Sequence, residues 1–294
     1  MALARRLRVP SVFVALVVVG AGTSVPELVV SVRAVTAGFP DLALGNVVGS
    51  NIVNVLVVGG AAAIMFPLRT GDRGARRSCT GMVVVCVVFA GLCALDRDVS
   101  RIEGVAMLTV LAVGFVLTLR GALRAQRGAD LTTPIDWVLG LPSSLPIILF
   151  FIGTGLVVLP LGADFLVDAA VVIAARLGVP EVVVGLTVVA VGTSLPEVAT
   201  TMMAARRRRA SMVVGTIAGS NLFNVLGIMG AAAVLSPGAI PVSGRFLALD
   251  LPVMVLTSVV LASFTWRRRP ISGRSGAVLL GAYAVYVVVL FAAI

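Results

Sequence analysis

Two glutamates lie in the middle of sequence runs that are apolar enough to sit in lipid. Glu27 is found in VVGAGTSVPELVVS (18–31), and Glu197 is found in VVAVGTSLPEVATT (188–201). An ionised carboxylate near the centre of a bilayer costs about 3 kcal/mol or more, so such a residue normally faces a cavity and a partner. The sequence has no Lys, and no Arg lies at matching depth. We therefore expect each carboxylate to face a bound cation; the alternative is a protonated glutamate with a structural role.

Each glutamate directly follows a proline. A proline inside a helix has no N–H to donate and displaces the carbonyl four residues before it. Pro26 and Pro196 are therefore predicted to break their helices and to free backbone oxygens near Gly22 and Gly192. Free carbonyls at membrane depth are tolerated where they line a cavity. The hydroxyls that would add to these oxygens are those of Thr23, Ser24, Thr193 and Ser194.

A second pair of segments supplies further oxygens. GNVVGSNIVNVL (45–56) and GTIAGSNLFNVL (215–226) each place a Ser and an Asn four residues apart, on one face of a helix. These residues are Ser50, Asn54, Ser220 and Asn224. Each segment also begins with a Gly-x-x-x-Gly pair, at 45 and 49 or at 215 and 219, which allows helices to approach closely.

The candidate ligands are carboxylate, hydroxyl, amide and carbonyl oxygens. Such a set suits Ca²⁺, which takes about six to eight oxygen ligands, and it also suits Na⁺. The sequence has no His, and Cys79, Cys86 and Cys93 form no CxxC pair, so we predict no transition-metal site. Two carboxylates can neutralise one Ca²⁺ or two monovalent cations, but not both loads together. A site that can hold either load, but not both at once, is a physical basis for obligatory exchange.

The two motifs recur at one spacing, because Glu27 and Glu197, like Ser50 and Ser220, are 170 residues apart. This indicates an internal duplication. The chain of 294 residues is 59% hydrophobic and 12% charged, with a mean hydropathy of +1.12. Since a membrane helix needs about 20 mostly apolar residues, the sequence predicts an all-α polytopic membrane protein. We place nine helices, near 12–37, 41–66, 78–95, 102–119, 144–173, 181–205, 210–235, 246–266 and 275–293.

The arginines predict how the helices are oriented. They cluster in alternate loops, and this alternation predicts a cytoplasmic N-terminus. The two motif helices are then five spans apart and run in opposite directions. Inverted repeats with Gly/Pro-interrupted helices favour a secondary transporter whose site lies near the bilayer midplane. Because the net charge of +10 is explained by these loops, we expect inorganic cations and membrane lipid as partners, and no nucleic acid.

The paired segments GTSVPE…GNVVGSNIVN and GTSLPE…GTIAGSNLFN resemble the two alpha repeats of the sodium/calcium exchanger (calcium:cation antiporter) family. The resemblance covers nearly the whole chain. It implies an inverted-repeat antiporter bundle of ten helices, five in each half, around a central ion site. It also implies that Glu27 and Glu197 are the central acidic ligands and that the Thr, Ser and Asn residues named above complete the site. The ions implied are transported Ca²⁺ and Na⁺ or H⁺, with no cofactor.

Two features differ from the family pattern. Many members carry an aspartate on one Gly-Ser helix, whereas Asn54 and Asn224 are both amides, which leaves stoichiometry and K⁺ dependence open. The family also has a helix before ARRLRVP (4–10), where this sequence has its Met1. We interpret this as a start site assigned too late. The alternatives are that a partner supplies the helix, or that this protein cannot switch access to its site between the two sides of the membrane. The expected organisation is a first repeat of four helices, a cytoplasmic connecting loop and a second repeat of five, at 1–120, 121–143 and 144–294.

These patterns predict a bacterial inner-membrane antiporter that exchanges Ca²⁺ for Na⁺ by alternating access. The alternatives are an H⁺/Ca²⁺ antiporter and a truncated copy that does not transport. An enzyme is not predicted, because no nucleophile and base lie at a suitable spacing. In the family, the helix at 144–173 is thought to slide across the core. Asp164 and Asp168 on it are either polar contacts for that motion or interfacial residues. The oligomeric state is not predicted.

Overall fold

The computed structural model describes residues 22–69, 73–126 and 145–292. The helices before the connecting segment are α1 (Val25–Thr36), α2 (Pro40–Val53), α3 (Gly60–Met65), α4 (Arg73–Asp96) and α5 (Arg101–Gln126). Those after it are α6 (Leu145–Leu177), α7 (Glu181–Val184), α8 (Ala190–Thr193), α9 (Leu195–Arg206), α10 (Ala210–Phe223), α11 (Gly230–Leu235), α12 (Leu251–Trp266) and α13 (Gly273–Ala292). Four π-helical segments continue or precede them, namely Asn54–Gly59, Gly185–Val189, Asn224–Met229 and Phe246–Asp250.

Most of these helices are membrane spans. Within the described residues, seven helices are long and apolar enough to cross a membrane, and the bent pair Glu181–Thr193 and Leu195–Arg206 makes an eighth. A polytopic helical membrane protein is therefore confirmed. The count of nine stays a prediction, because the first predicted span, 12–37, begins outside the described residues. The predicted start of the connecting loop at 121 differs from the structure, since α5 continues to Gln126 through the helix-favouring residues ALRAQ.

Burial separates central helices from peripheral ones. The most apolar stretch of the span Pro40–Met65 is 83% buried and that of Ala210–Leu235 is 61% buried, against 11% for Arg101–Arg120. The peripheral helices α4, α5, α6 and α13 expose large apolar side chains such as Val88, Val113, Phe165 and Val285. In a chain that spans a membrane, those faces meet acyl chains. The centre of the bundle is therefore formed by α2 and α10, which carry the Gly-Ser-Asn segments.

The duplication seen in the sequence is repeated in the backbone. Helices α1 and α9 begin and end 170 residues apart, as do α2 and α10 and the π-helical segments that follow α2 and α10. A π-helical segment within a helix is uncommon and often lies at a functional site. The turn before α2 and the turn before α10 also share a backbone feature, because Gly38 and Arg208 both have positive φ, at 89° and 55°.

Within the described residues, the arginine-bearing loops before α4, α10 and α13 lie at one end of the bundle. Leu68 bridges Ile271, which joins the loop before α4 to the loop before α13. At the other end, β1 (Asp98–Val99) pairs antiparallel with β2 (Ile240–Pro241), which joins the loop after α4 to the loop after α11. The predicted segregation of arginines to one face agrees with this arrangement. That this face is cytoplasmic stays a prediction.

The first Gly-x-x-x-Gly pair packs directly on the segment Glu181–Thr193 of the other half, which is the interrupted helix. A Cβ on Gly45 would lie 2.5 Å from the carbonyl oxygen of Val182, and a Cβ on Gly49 would lie 2.7 Å from the Cα of Leu186. At the second pair, in α10, nothing in the described part of the chain lies within 4 Å. The predicted close approach is therefore confirmed for the first pair, and for the second pair it stays a prediction.

Helix α6 packs against α1 along one narrow stripe. Its buried side chains, Ala163, Val167, Ala170 and Ala174, recur every three or four residues. Arg33 of α1 forms an ion pair with Asp164 of α6, and the two side chains are 43% and 46% exposed. Asp168 is exposed. Asp164 is therefore a polar contact between α1 and α6, and its role in a motion of α6 stays a prediction.

Candidate cation site

The two glutamates meet inside the bundle and exchange hydrogen bonds between the halves. The Ser24 hydroxyl donates to Glu197 Oε1 at 2.9 Å, and the Ser194 hydroxyl donates to Glu27 Oε1 at 3.3 Å. The two bonds are equivalent, because the serines are 170 residues apart, as are the glutamates. Reciprocal contacts of this kind are those of a two-fold relation. Both glutamates are buried, at 1% and 2% exposure, so the structure brings these four predicted residues together in the interior.

Helix breaks at the prolines give each glutamate its position. Pro26 and Pro196 lie in the first turn of α1 and α9, and the serines before these helices have ψ angles of 12° and 6°, outside helical values. Proline is tolerated there because the N–H groups of a first turn have no intrahelical acceptor. The second break bends its span by 47°. The predicted breaks are confirmed, and each places its glutamate in a first turn, where the helix dipole favours negative charge.

The asparagines that follow the predicted serines pair across the halves. Asn54 Nδ2 donates to Asn221 Oδ1 at 3.1 Å, and Asn224 Nδ2 donates to Asn51 Oδ1 at 3.0 Å. Asn221 Nδ2 also donates to the backbone oxygen of Asn51 at 3.1 Å. These bonds occupy the amide nitrogens, whereas the side-chain oxygens of Asn54 and Asn224 have no partner among the described residues. Asn51 and Asn221 were not predicted, although their identical place in the two Gly-Ser-Asn segments was a signal.

Six buried oxygens around this centre have no hydrogen-bond partner in the described part of the chain. They are Glu27 Oε2, Glu197 Oε2, Ser50 Oγ, Ser220 Oγ, Asn54 Oδ1 and Asn224 Oδ1. All six belong to predicted ligands, and they form three pairs related by the 170-residue spacing. A buried polar atom without a partner costs about 1–3 kcal/mol, so native proteins rarely leave one unpaired. A cation coordinated by these oxygens would satisfy them.

The threonines of the two motifs lie beside the carboxylates. Thr23 lies near the Glu197 carboxylate, as does Ser220, and Thr193 lies near the Glu27 carboxylate. The hydroxyl of Thr193 donates to the backbone oxygen of its own helix at position 189, at 3.0 Å. Hydroxyls from both halves therefore surround the Glu197 carboxylate, and hydroxyls of the second half lie beside the Glu27 carboxylate.

A further asparagine, Asn46, forms hydrogen bonds beside Glu27, and it has no equivalent beside Glu197. Asn46 Nδ2 donates to Ser31 Oγ at 2.9 Å and to the backbone oxygen of Glu27 at 3.3 Å. In the other half, Thr201 stands where Ser31 stands, and its buried hydroxyl has no partner among the described residues. The surroundings of Glu27 and Glu197 are therefore not identical. Asn46 was missed from the sequence because the matching position in the second half is not an asparagine.

The ligand chemistry of this site is that of a hard cation. The described residues contain no group of three His, Cys, Asp or Glu side chains that could hold a metal ion. Two carboxylates with neutral hydroxyl and amide oxygens remain, and such a set fits Ca²⁺ or Na⁺ rather than a soft transition metal. The three cysteines of α4 are free and buried, as expected of small apolar side chains in a span.

We expect Asn51→Ala and Asn221→Ala to weaken ion binding without removing a ligand. Each substitution takes away the acceptor that orients the amide of Asn224 or Asn54, and loss of such a supporting contact typically costs about 10–100-fold in metal affinity. The Ca²⁺ concentration for half-maximal binding to the purified chain should rise by that factor. Thr118→Ala is the control, because among the described residues its hydroxyl bonds a carbonyl of its own helix and no other group. An unchanged half-maximal concentration in both asparagine variants would contradict the orienting role.

Comparison with known proteins agrees with this geometry. Residues 1–120 and 147–292 match the family described as Sodium/calcium exchanger protein. Inner membrane protein YrbG of Escherichia coli (strain K12) is 34% identical over 98% of this chain and 89% of its own length. Sodium/calcium exchanger MaX1 of Methanosarcina acetivorans is 30% identical over 98% of this chain and 91% of its own length.

The fold matches a solved exchanger as well. The sodium-calcium exchanger NCX_Mj, soaked with Na⁺ and Ca²⁺, superposes with a TM-score of 0.68 at 27% identity, covering 98% of this chain and 89% of that chain. The matches in sequence and in structure span the same two halves that exchange hydrogen bonds at the glutamates. The chain therefore belongs to the sodium/calcium exchanger family, and it is a multi-pass membrane transporter and not an enzyme.

Proposed function

We propose that the protein is a secondary active antiporter that exchanges Ca²⁺ for Na⁺ across the membrane by alternating access. The observation that carries this proposal is the set of six unpartnered buried oxygens, which includes one carboxylate oxygen from each half. A site that only held the two halves together would leave no reason for these oxygens to stay unpaired. The relatives point in the same direction, because MaX1 is named a sodium/calcium exchanger and CaxA of Alkalimonas amylolytica, 31% identical over 98% of this chain, a putative antiporter.

The charge of the site supports exchange rather than co-transport. Glu27 and Glu197 supply two negative charges, and Asn54 and Asn224 add oxygens but no charge. One Ca²⁺ or two Na⁺ ions neutralise the two carboxylates. Placing both loads in this buried site would leave uncompensated positive charge in a medium of low dielectric, which is costly. The two loads therefore bind in alternation.

The inverted halves supply a route to alternating access. Transporters built from inverted repeats move one bundle against the other around a fixed midplane site. Here the reciprocal contacts fix the site between the halves, whereas α6 touches α1 through a narrow stripe and the half-exposed ion pair of Arg33 with Asp164. We propose that α6 is the mobile element and that the membrane is the bacterial inner membrane, with the arginine-rich loops in the cytoplasm.

The proposal is tested by uptake of radioactive Ca²⁺ into proteoliposomes that contain the purified chain. An outward Na⁺ gradient should drive Ca²⁺ uptake, and collapse of that gradient should stop it. Uptake that does not depend on the Na⁺ gradient but is driven by an imposed pH gradient would contradict Na⁺ coupling. It would show that the chain exchanges H⁺ for Ca²⁺. No uptake under either gradient would contradict transport by this chain.

A further inference from the structure

A cavity of about 840 Å³ lies at the end of the bundle where the arginine-rich loops gather. It is formed where α3 ends and α10 begins, so both halves contribute. Its lining is Phe66, Pro67, Arg69, Arg208, Arg209, Ala210, Ser211 and Met212. Three arginines thus line one space, and the described lining contains no acidic side chain. Nothing in the cation site accounts for this cavity, because it lies outside the central ligand set.

The duplicated fold shows that these arginines are not needed for the backbone. The turn before α2 is equivalent to the turn before α10, and there Gly38 and Phe39 occupy the places of Arg208 and Arg209. The position with positive φ is satisfied by glycine in one half. The loop after α11, which is equivalent to the loop that carries Arg69, has an alanine, Ala239, at the matching place. The arginines are therefore specific to this end of the molecule.

The chemistry of the lining selects an anion with an apolar part. Guanidinium groups bind phosphate oxygens in a fork geometry, and basic pockets at the ends of membrane helices suit lipid headgroups. Phe66 and Met212 add apolar surface to the same cavity. Ile64 and Met65, in the turn before the cavity, are 49% and 44% exposed, as expected where the protein meets acyl chains. The cavity therefore lies at the boundary where a phospholipid headgroup leaves the bilayer.

We propose that this cavity binds the phosphate group of an anionic phospholipid, with Arg69, Arg208 and Arg209 as its ligands. The proposal is independent of which cation the central site carries. A lipid held there contacts the loop after α3 in one half and the start of α10 in the other. Its headgroup therefore stabilises the end of the bundle at which the two halves meet.

The test titrates the detergent-purified full chain with short-chain phosphatidylglycerol and counts bound lipid by native mass spectrometry. An arginine near a membrane surface contributes about 1 kcal/mol to binding an anionic lipid, which is about fivefold in affinity. Arg69→Gln and Arg209→Gln should each weaken binding about fivefold, and the double variant about 25-fold. The double variant Arg77→Gln with Arg267→Gln loses the same charge outside the cavity lining and should bind within about twofold of the parent chain.

Three outcomes would overturn the proposal. Equal loss of lipid in the two double variants would mean that only net charge attracts the lipid. Equal binding of short-chain phosphatidylcholine would mean that the arginines do not select an anionic lipid. Competition by inorganic phosphate at the same concentration as phosphatidylglycerol would assign the cavity to a soluble phosphate compound instead.

Discussion

Ca²⁺ uptake driven by a Na⁺ gradient is expected to fall at least about 100-fold in Glu27→Gln and in Glu197→Gln, because removing one partner of a buried charged contact costs about 3–5 kcal/mol. Each substitution keeps the shape of the side chain and its acceptor for the serine of the other half. What it removes is one of the two charges that neutralise Ca²⁺. Uptake into proteoliposomes, with folding checked by gel filtration, measures the effect.

The matched control for these variants is Asp250→Asn. Asp250 is also a buried acid in a membrane span, at 1% exposure, but its Oδ1 already accepts a hydrogen bond from Tyr286 at 2.8 Å. The amide keeps that acceptor, so Asp250→Asn should transport at a rate close to that of the parent chain. Transport retained by either glutamate variant, or lost equally in the control, would contradict a role of Glu27 and Glu197 as the charged ligands.

Gly49→Val is expected to destabilise the folded protein by about 3 kcal/mol or more, since overpacking of a close contact costs about 1–3 kcal/mol and occasionally more. A Cβ at this position would already lie 2.7 Å from both the Cα and the carbonyl oxygen of Leu186, and 2.8 Å from the Cβ of Ala190. Two of these atoms are backbone, so the contact cannot be relieved by a rotamer change. Thermal unfolding in detergent should show the loss, and Gly49→Ala should show a smaller one.

Gly114→Val is the control for that substitution. Gly114 lies in α5, and nothing in the described part of the chain lies within 4 Å of a Cβ built there. Its variant should unfold near the temperature of the parent chain. If both valine variants unfolded at the same temperature, the close approach of α2 to the interrupted helix would not be what Gly49 provides.

The duplication made much of the site predictable from the sequence. A glutamate inside an apolar run is informative by itself, and its recurrence with Pro and Ser at one spacing predicted which residues meet. Glu27 and Glu197 do exchange hydrogen bonds with the predicted serines, and the helix breaks fall at the predicted prolines. The membrane class followed from composition, because long apolar runs have few alternative folds.

The contacts between the halves were not predictable in the same way. Pairing of Asn54 with Asn221 depends on how α2 and α10 are rotated against each other, and a helical repeat does not encode that rotation. The hydrogen bonds of Asn46 to Ser31 and to the Glu27 backbone were not predictable for another reason. They have no equivalent in the second half, and the predictions were made from residues that recur in both halves. The π-helical segments after Asn54 and Asn224 also follow from packing, not from local propensity.

The proposed function requires that one Ca²⁺ ion is held between two glutamates contributed by opposite halves. Crystals of the full chain soaked with Ca²⁺ would test it through anomalous scattering from the bound ion. We predict one peak at about 2.3–2.6 Å from oxygens of both Glu27 and Glu197, the usual Ca²⁺–oxygen distance. A peak that contacts only one of the two carboxylates, or Ca²⁺ bound elsewhere with the space between them empty, would contradict the claim.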